Sequence, residues 1–213
     1  MRVAAIRPED AYGGQRIALF ARLGPARLRV QVDVGIGDAV VPEPEWLDYP
    51  SLLDLPRPRL RAYHSETSIA EKVHAMVVLG SKNSRMRDFF DVHALAMHEP
   101  FKGERLAGAL RATFERRGTA IVGDSPIAFT AAFAEIEGKR SQWAGFVRKN
   151  RLAAAPGDLA SVIEGITAFI GPVLTAARRG ESFSGNWPPG GPWRRTTEKT
   201  APARGTWRRR SRG

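Results

Sequence analysis

Residues 70–95 read AEKVHAMVVLGSKNSRMRDFFDVHAL, and how this stretch divides decides how the rest of the chain is read. Ile69, Val73, Met76 and Val77 make an apolar stripe at helical spacing. Ser68-x-x-Glu71 has the form of a capping box, so a helix is expected to begin near Ser65 to Ser68 and run to about Leu79. Gly80 is its expected C-cap. A polar loop follows. Arg85-x-Arg87-Asp88-x-x-Asp91 then opens a second helix, expected over about Arg85 to Met97 and ending before Pro100. Asp88 and Asp91, three apart, project from one face of it. Phe89, Val92, His93 and Ala96 supply its core side. Two antiparallel helices joined by residues 80–84 bring Lys72, beside the first stripe, towards Asp88.

Spacing leaves two readings of this corner open. One is chemistry: a cation and two carboxylates converge. The other is a solvated surface. There the helix dipole favours an acid in the first turn, Arg85 or Arg87 pairs with Asp91, and Lys72 snorkels.

Downstream, helices are expected at about 103–117, closed by Gly118, then over 126–137 and 139–150. A long helix is expected over 158–179, with Pro172 kinking it or accommodated within it. From Glu181 onward Gly, Pro, Ser and Arg dominate, and disorder is expected after about Trp193. Upstream the period changes to two. Residues 16–23 (RIALFARL) and 27–34 (RLRVQVDV) alternate around a Gly24-Pro25-Ala26 turn. That pattern is a β-hairpin with Ile17, Leu19, Leu23, Leu28, Val30, Val32 and Val34 inward and Asp33 on the opposite face. A proline-rich connection over 41–61 reads as extended and held against the domain by Trp46, Leu52, Leu53 and Leu55. The expected class is therefore α+β, divided into a sheet portion over 1–62, a helical portion over 63–193 and a basic tail over 194–213.

The chain has 213 residues, 43% hydrophobic, enough for a stable core. Its lack of cysteine excludes disulfides and thiolate metal sites, and four scattered histidines argue against zinc. A hard cation held by carboxylates remains open. No uninterrupted apolar run approaches the roughly 20 residues of a membrane span, so the cytoplasm is the expected location. The net charge of +11 suggests a polyanionic partner. Residues 194–213 hold seven arginines and one lysine against one glutamate, so most of that excess lies in the tail.

The stretch HSETSIAEKVHAMVVLGSKNSRMRDFFDVHAL resembles the AbiEii/AbiGii toxin family, whose members read E-x-x-x-A-E-K-hydrophobic-x-A and then S-R-x-[KR]-D-[FY]-[FY]-D. The flanks PEDAYGGQRIALFARL, RVQVDVGIGDAVVPEPEW, YPSLLD, LRATFERRGT and WPPGGPW are similar too, so the likeness spans about Arg7 to Trp193. The resemblance implies a DNA polymerase-β-like nucleotidyltransferase fold. It implies a nucleoside triphosphate substrate with Mg2+, an acceptor such as tRNA, and a helix-turn-helix antitoxin in a type IV or phage-abortive system. By the same resemblance Lys72 neutralises the triphosphate, Asp88 is the helical aspartate needed for activity with Asp91 beside it, and Asp33 is the third carboxylate of a metal triad. Arg85 and Arg87 hold phosphate or orient those aspartates.

One family feature is missing. The first motif is a Gly-Gly or Gly-Ser turn followed about ten residues later by Asp-x-Asp on a strand. Gly13-Gly14 leads to no such pair, and no Asp-x-Asp occurs in the sequence. The chain thus reads as lacking the family's N-terminal part, and the expectation is weak or no catalysis by this chain on its own. The alternative is a non-catalytic remnant that binds antitoxin or RNA.

Overall fold

The computed structural model describes residues 1–6, 14–51, 53–121, 125–152 and 155–195. Strands come first: β1 (Arg2–Ile6), β2 (Gly14–Leu23) and β3 (Ala26–Gly35) form an antiparallel sheet in that order. The hairpin register follows the alternation, with Ile17 opposite Val32 and Leu19 opposite Val30. Leu23 pairs with Ala26, so the turn is Gly24-Pro25 alone, and Gly24 supplies the positive φ (58°) that a tight reversal requires.

The apolar face of this hairpin corrects the expectation. Leu19, Leu23, Leu28, Val30, Val32 and Val34 are all exposed, because among the described residues no helix packs over the sheet. The proline-rich connection also differs. It contains a second hairpin, β4 (Glu45–Asp48) with β5 (Arg59–Ala62), on which Trp46, Leu53 and Leu55 are exposed rather than held against a core. Leu52 lies outside the described residues, as does Gly13.

The core belongs to the helices: α1 (Ser65–Leu79), α2 (Met86–His98), α3 (Gly103–Arg116), a short α4 (Ala131–Glu135), α5 (Lys139–Asn150) and α6 (Leu159–Arg179). Residues 126–137, expected as one helix, divide into a 3-10 turn over Ile127–Phe129 and α4. The helix α1 begins at Ser65 with His64 as N-cap, so Ser68 lies inside its first turn and makes no capping bond. Asp158 does cap α6, its Oδ1 accepting from Ser161 N at 2.8 Å. Pro172 is accommodated within the continuous α6. By length and composition α6 could cross a membrane, unlike anything expected from the uninterrupted apolar runs. Half of it is buried inside the protein, where Val162, Ile166, Phe169, Ile170 and Val173 pack towards α2 and α3.

A third small sheet closes the far side: β6 (Phe101–Lys102), β7 (Gly185–Trp187) and β8 (Arg194–Arg195). The expected basic tail thus begins with two strand residues, and 196–213 lies outside the described residues. Trp187 donates to Ala96 O (2.7 Å) and Trp193 to Phe169 O (2.8 Å), which seats the segment after α6 on the core. Gly103 is required here. A Cβ on it would stand 2.8 Å from Phe183 O and closer still to the Phe183 ring. Gly103→Ala is therefore expected to destabilise the chain by about 1–3 kcal/mol, read as a lower urea midpoint with unchanged slope.

Candidate functional site

The loop between α1 and α2 is built to hold the start of α2. Asn83 is fully buried, and its Oδ1 accepts from Arg85 N at 2.8 Å. Its carbonyl accepts from the buried ammonium of Lys139 at 2.6 Å. Lys139 also lies 4.8 Å from the centre of the Phe133 ring, and burial holds its pKa below the ordinary lysine value. These contacts fix where Arg85 and Asp88 leave the backbone.

Asp88 is 3% exposed, which excludes a solvated corner. Lys72 Nζ lies 3.4 Å from Asp88 Oδ1 and 2.8 Å from Asp91 Oδ2, and Arg85 Nε lies 2.8 Å from Asp88 Oδ2. That last contact has the distance of an ion pair without the alignment of a hydrogen bond. Burial works to lower the Lys72 pKa, but the hydrogen bonds and charges of Asp91 and Asp88 outweigh it and leave the ammonium above its usual value. Lys72 is a fixed cation on a partly buried base.

Two hollows meet at this lysine. One, of about 740 Å³, is lined by Asp38, Tyr63, Glu71, Lys72, Arg85 and Arg117 among others. The second, of about 380 Å³, is lined by Ser68, Lys72, Asp91, Ala94, Leu95 and His98. Ser68 and Lys72 belong to both, so they form the partition. The far wall of the larger hollow comes from the segment after β3. Arg116 Nε donates to Gly37 O (2.5 Å), Arg117 pairs with Asp38 (3.1 Å), and Thr67 Oγ1 donates to Val41 O (2.8 Å). Burial and then Asp38 raise the Glu71 carboxyl above its usual range, against the opposing charges of Arg117 and Lys72.

His74 completes that wall. Arg117 donates to its Nδ1 (3.3 Å), and Thr119 Oγ1, which donates to Arg117 O, lies 3.0 Å from its Nε2. Only the neutral tautomer with the proton on Nε2 satisfies both contacts. Burial, then Arg117, push its pKa down to about 4 from 6.5. Between those values the unfolded chain takes up a proton that the folded chain refuses. The contribution is complete above about pH 6.5 and lost as pH falls towards 4. Urea midpoints are expected to drop between pH 7 and 5, by a loss on the order of 2 kcal/mol, and His74→Gln is expected to remove most of that drop.

The structure thus brings Lys72, Asp88, Asp91 and Arg85 together. It places Arg87 on the exposed surface, lining neither hollow. Asp33 lies apart, on the exposed face of β3, clasped by Arg16 with two contacts of 2.8 Å. Hydrogen bonding from Arg16 lowers its pKa. Asp38, Tyr63, His74 and Arg117 line the site without having been singled out, and Glu71, read above only as part of a capping box, lines it too. Glu71 had a signal, as the acid of Ala70-Glu71-Lys72 one position before the lysine, whereas Asp38 and Arg117 meet only through the tertiary fold.

Each carboxylate that the resemblance assigns to catalysis or to a metal is paired with a cation. Asp88 and Asp91 are neutralised by Lys72 and Arg85, and Asp33 by Arg16. Among the described residues no three His, Asp or Glu side chains converge as a ligand set.

The wall of the larger hollow thus carries three cations, Lys72, Arg85 and Arg117, beside two acids, Asp38 and Glu71, an arrangement that can face an anionic group. The sequence pattern of the nucleotidyl transferase AbiEii toxin family of type IV toxin–antitoxin systems matches residues 2–164, and the chain belongs to that family. Membership implies, in general terms, a nucleotide substrate and an antitoxin counterpart. No curated protein and no solved structure matches the chain.

Proposed function

We propose that the larger hollow receives the triphosphate of a nucleoside triphosphate and that the chain passes a nucleotidyl group to an RNA acceptor such as tRNA, in the cytoplasm and under a helix-turn-helix antitoxin. The observation that carries this reading is the Lys72 partition, held by Asp88 and Asp91 with Arg85 and Arg117 on the walls beside it. In the transfer, an acceptor hydroxyl oxygen bonds to the α-phosphorus while the bond to the β-phosphate oxygen breaks and pyrophosphate leaves. Lys72 and Arg85 stabilise the charge that grows on the leaving oxygens. Glu71, made a stronger base by burial, takes the hydroxyl proton as its carboxylate. Asp88 and Asp91 are positioning residues, since they touch the lysine rather than the substrate.

The missing Asp-x-Asp, and the lack of three converging carboxylates among the described residues, favour slow turnover by this chain. The same observations favour the second reading, a remnant that binds nucleotide or RNA without transferring. Calorimetric titration with each nucleoside triphosphate tests the shared part. Saturable binding displaced by pyrophosphate is expected; no binding of any of the four would refute the assignment of the hollow.

A further inference from the structure

The three-stranded sheet has a second face whose residues the proposed site leaves unused. Register puts Phe20 directly opposite Arg29, and Arg22 opposite Arg27. On the other side, Arg2 pairs with Ala18, which lies one step along the same face. The period of two therefore gathers Arg2, Phe20, Arg22, Arg27 and Arg29 on one surface. Phe20 is 71% exposed, and the arginines around it are exposed as well. Among the described residues none of these four arginines has a carboxylate partner; Asp33, on the same face, is engaged by Arg16. An isolated exposed phenylalanine needs no explanation. A phenylalanine in the middle of four unneutralised guanidinium groups on an open sheet is a different arrangement.

We infer that this face is a platform for single-stranded RNA, with Phe20 stacking on an unpaired base and Arg22, Arg27, Arg29 and Arg2 holding the phosphates on either side. A protein partner would have to desolvate four guanidinium groups and supply an acid for each. A nucleic acid strand brings one phosphate with every base. Stacking requires an unstacked base, which a duplex does not offer, and an A-form major groove is too narrow for a sheet to read. The choice of RNA over DNA rests on the proposed RNA acceptor; the stacking and charge argument does not.

The test is fluorescence anisotropy of a labelled oligouridylate with the full chain and no nucleoside triphosphate, so failure of the transfer reading leaves the result interpretable. Phe20→Ala, which removes no charge and little buried surface, is expected to weaken binding about 5- to 100-fold, and Phe20→Trp to restore it. Arg27→Gln with Arg29→Gln is expected to flatten the slope of log K against log salt by roughly 1.4, about 0.7 for each phosphate contact. If Phe20→Ala binds as tightly as the parent, the arginines of 194–213 account for the affinity and the platform is refuted. Equal or tighter binding of oligothymidylate would overturn the assignment to RNA.

Discussion

Lys72→Met is expected to lower nucleoside triphosphate binding and any nucleotidyl transfer by about 10²–10³, the usual cost of removing a preorganised charge that faces a reacting phosphate. Among the described residues, Lys72 is the one whose ammonium touches both Asp88 and Asp91 and which lines both hollows. No neighbour can replace it from the same position, since Arg85 approaches Asp88 from the other carboxylate oxygen and Arg117 is tied to Asp38 and His74. The substitution also leaves Asp88 buried with one cation instead of two. A stability loss of about 1–3 kcal/mol is expected alongside the functional one. Lys72→Arg separates the two effects. It keeps the charge and most of the stability, but its planar fork does not reproduce one ammonium shared by two acids, so binding is expected to recover only in part. If Lys72→Met changes the urea midpoint while leaving triphosphate affinity intact, the corner is structural and the hollow is not a nucleotide site.

The second large effect concerns the far side of the core. Phe169→Ala is expected to cost about 3–5 kcal/mol, because the ring is fully buried and four aromatic side chains meet there. Phe169 stacks on Trp193 with centroids 5.8 Å apart, lies 4.9 Å from Trp187 and 5.0 Å from Phe101, and its carbonyl accepts from Trp193 Nε1. Truncation would empty the seat that holds the segment after α6. A fall of roughly 6–20 °C in Tm by circular dichroism is expected, with tryptophan fluorescence shifting to longer wavelength as Trp187 and Trp193 become wet. A loss below about 1 kcal/mol would mean that this segment is not packed as described.

The helical half was legible from sequence for a physical reason. Its side chains repeat every three to four residues, and Gly80, Gly118, Asp158 and Pro100 mark helix limits with local chemistry. The helix pair carrying Lys72 and Asp88 could therefore be placed before any tertiary contact was known. The sheet was legible in register but not in burial. Alternation says that two faces differ, and nothing in RIALFARL or RLRVQVDV says whether the apolar one is covered. The β4–β5 hairpin was hidden by five prolines in and beside the connection, which argue against strands locally, although Glu45–Asp48 and Arg59–Ala62 themselves contain none. Ser68-x-x-Glu71 marked the right end of α1, which begins at Ser65 within the expected range, but the capping pattern itself lies inside the helix. Asp38, His74 and Arg117 were out of reach of periodicity: their contact depends on how the segment after β3 returns to the end of α3.

The reading proposed above puts Lys72 at the centre of a nucleotidyl transfer site near which, among the described residues, no three carboxylates converge. Incorporation of label from an α-labelled nucleoside triphosphate into tRNA, followed over time with the purified chain and with Lys72→Met, addresses it directly. The predicted result is slow incorporation, or triphosphate binding with none, and loss of either in the variant. Rapid multiple turnover by the parent chain, or incorporation that persists in Lys72→Met, would contradict it.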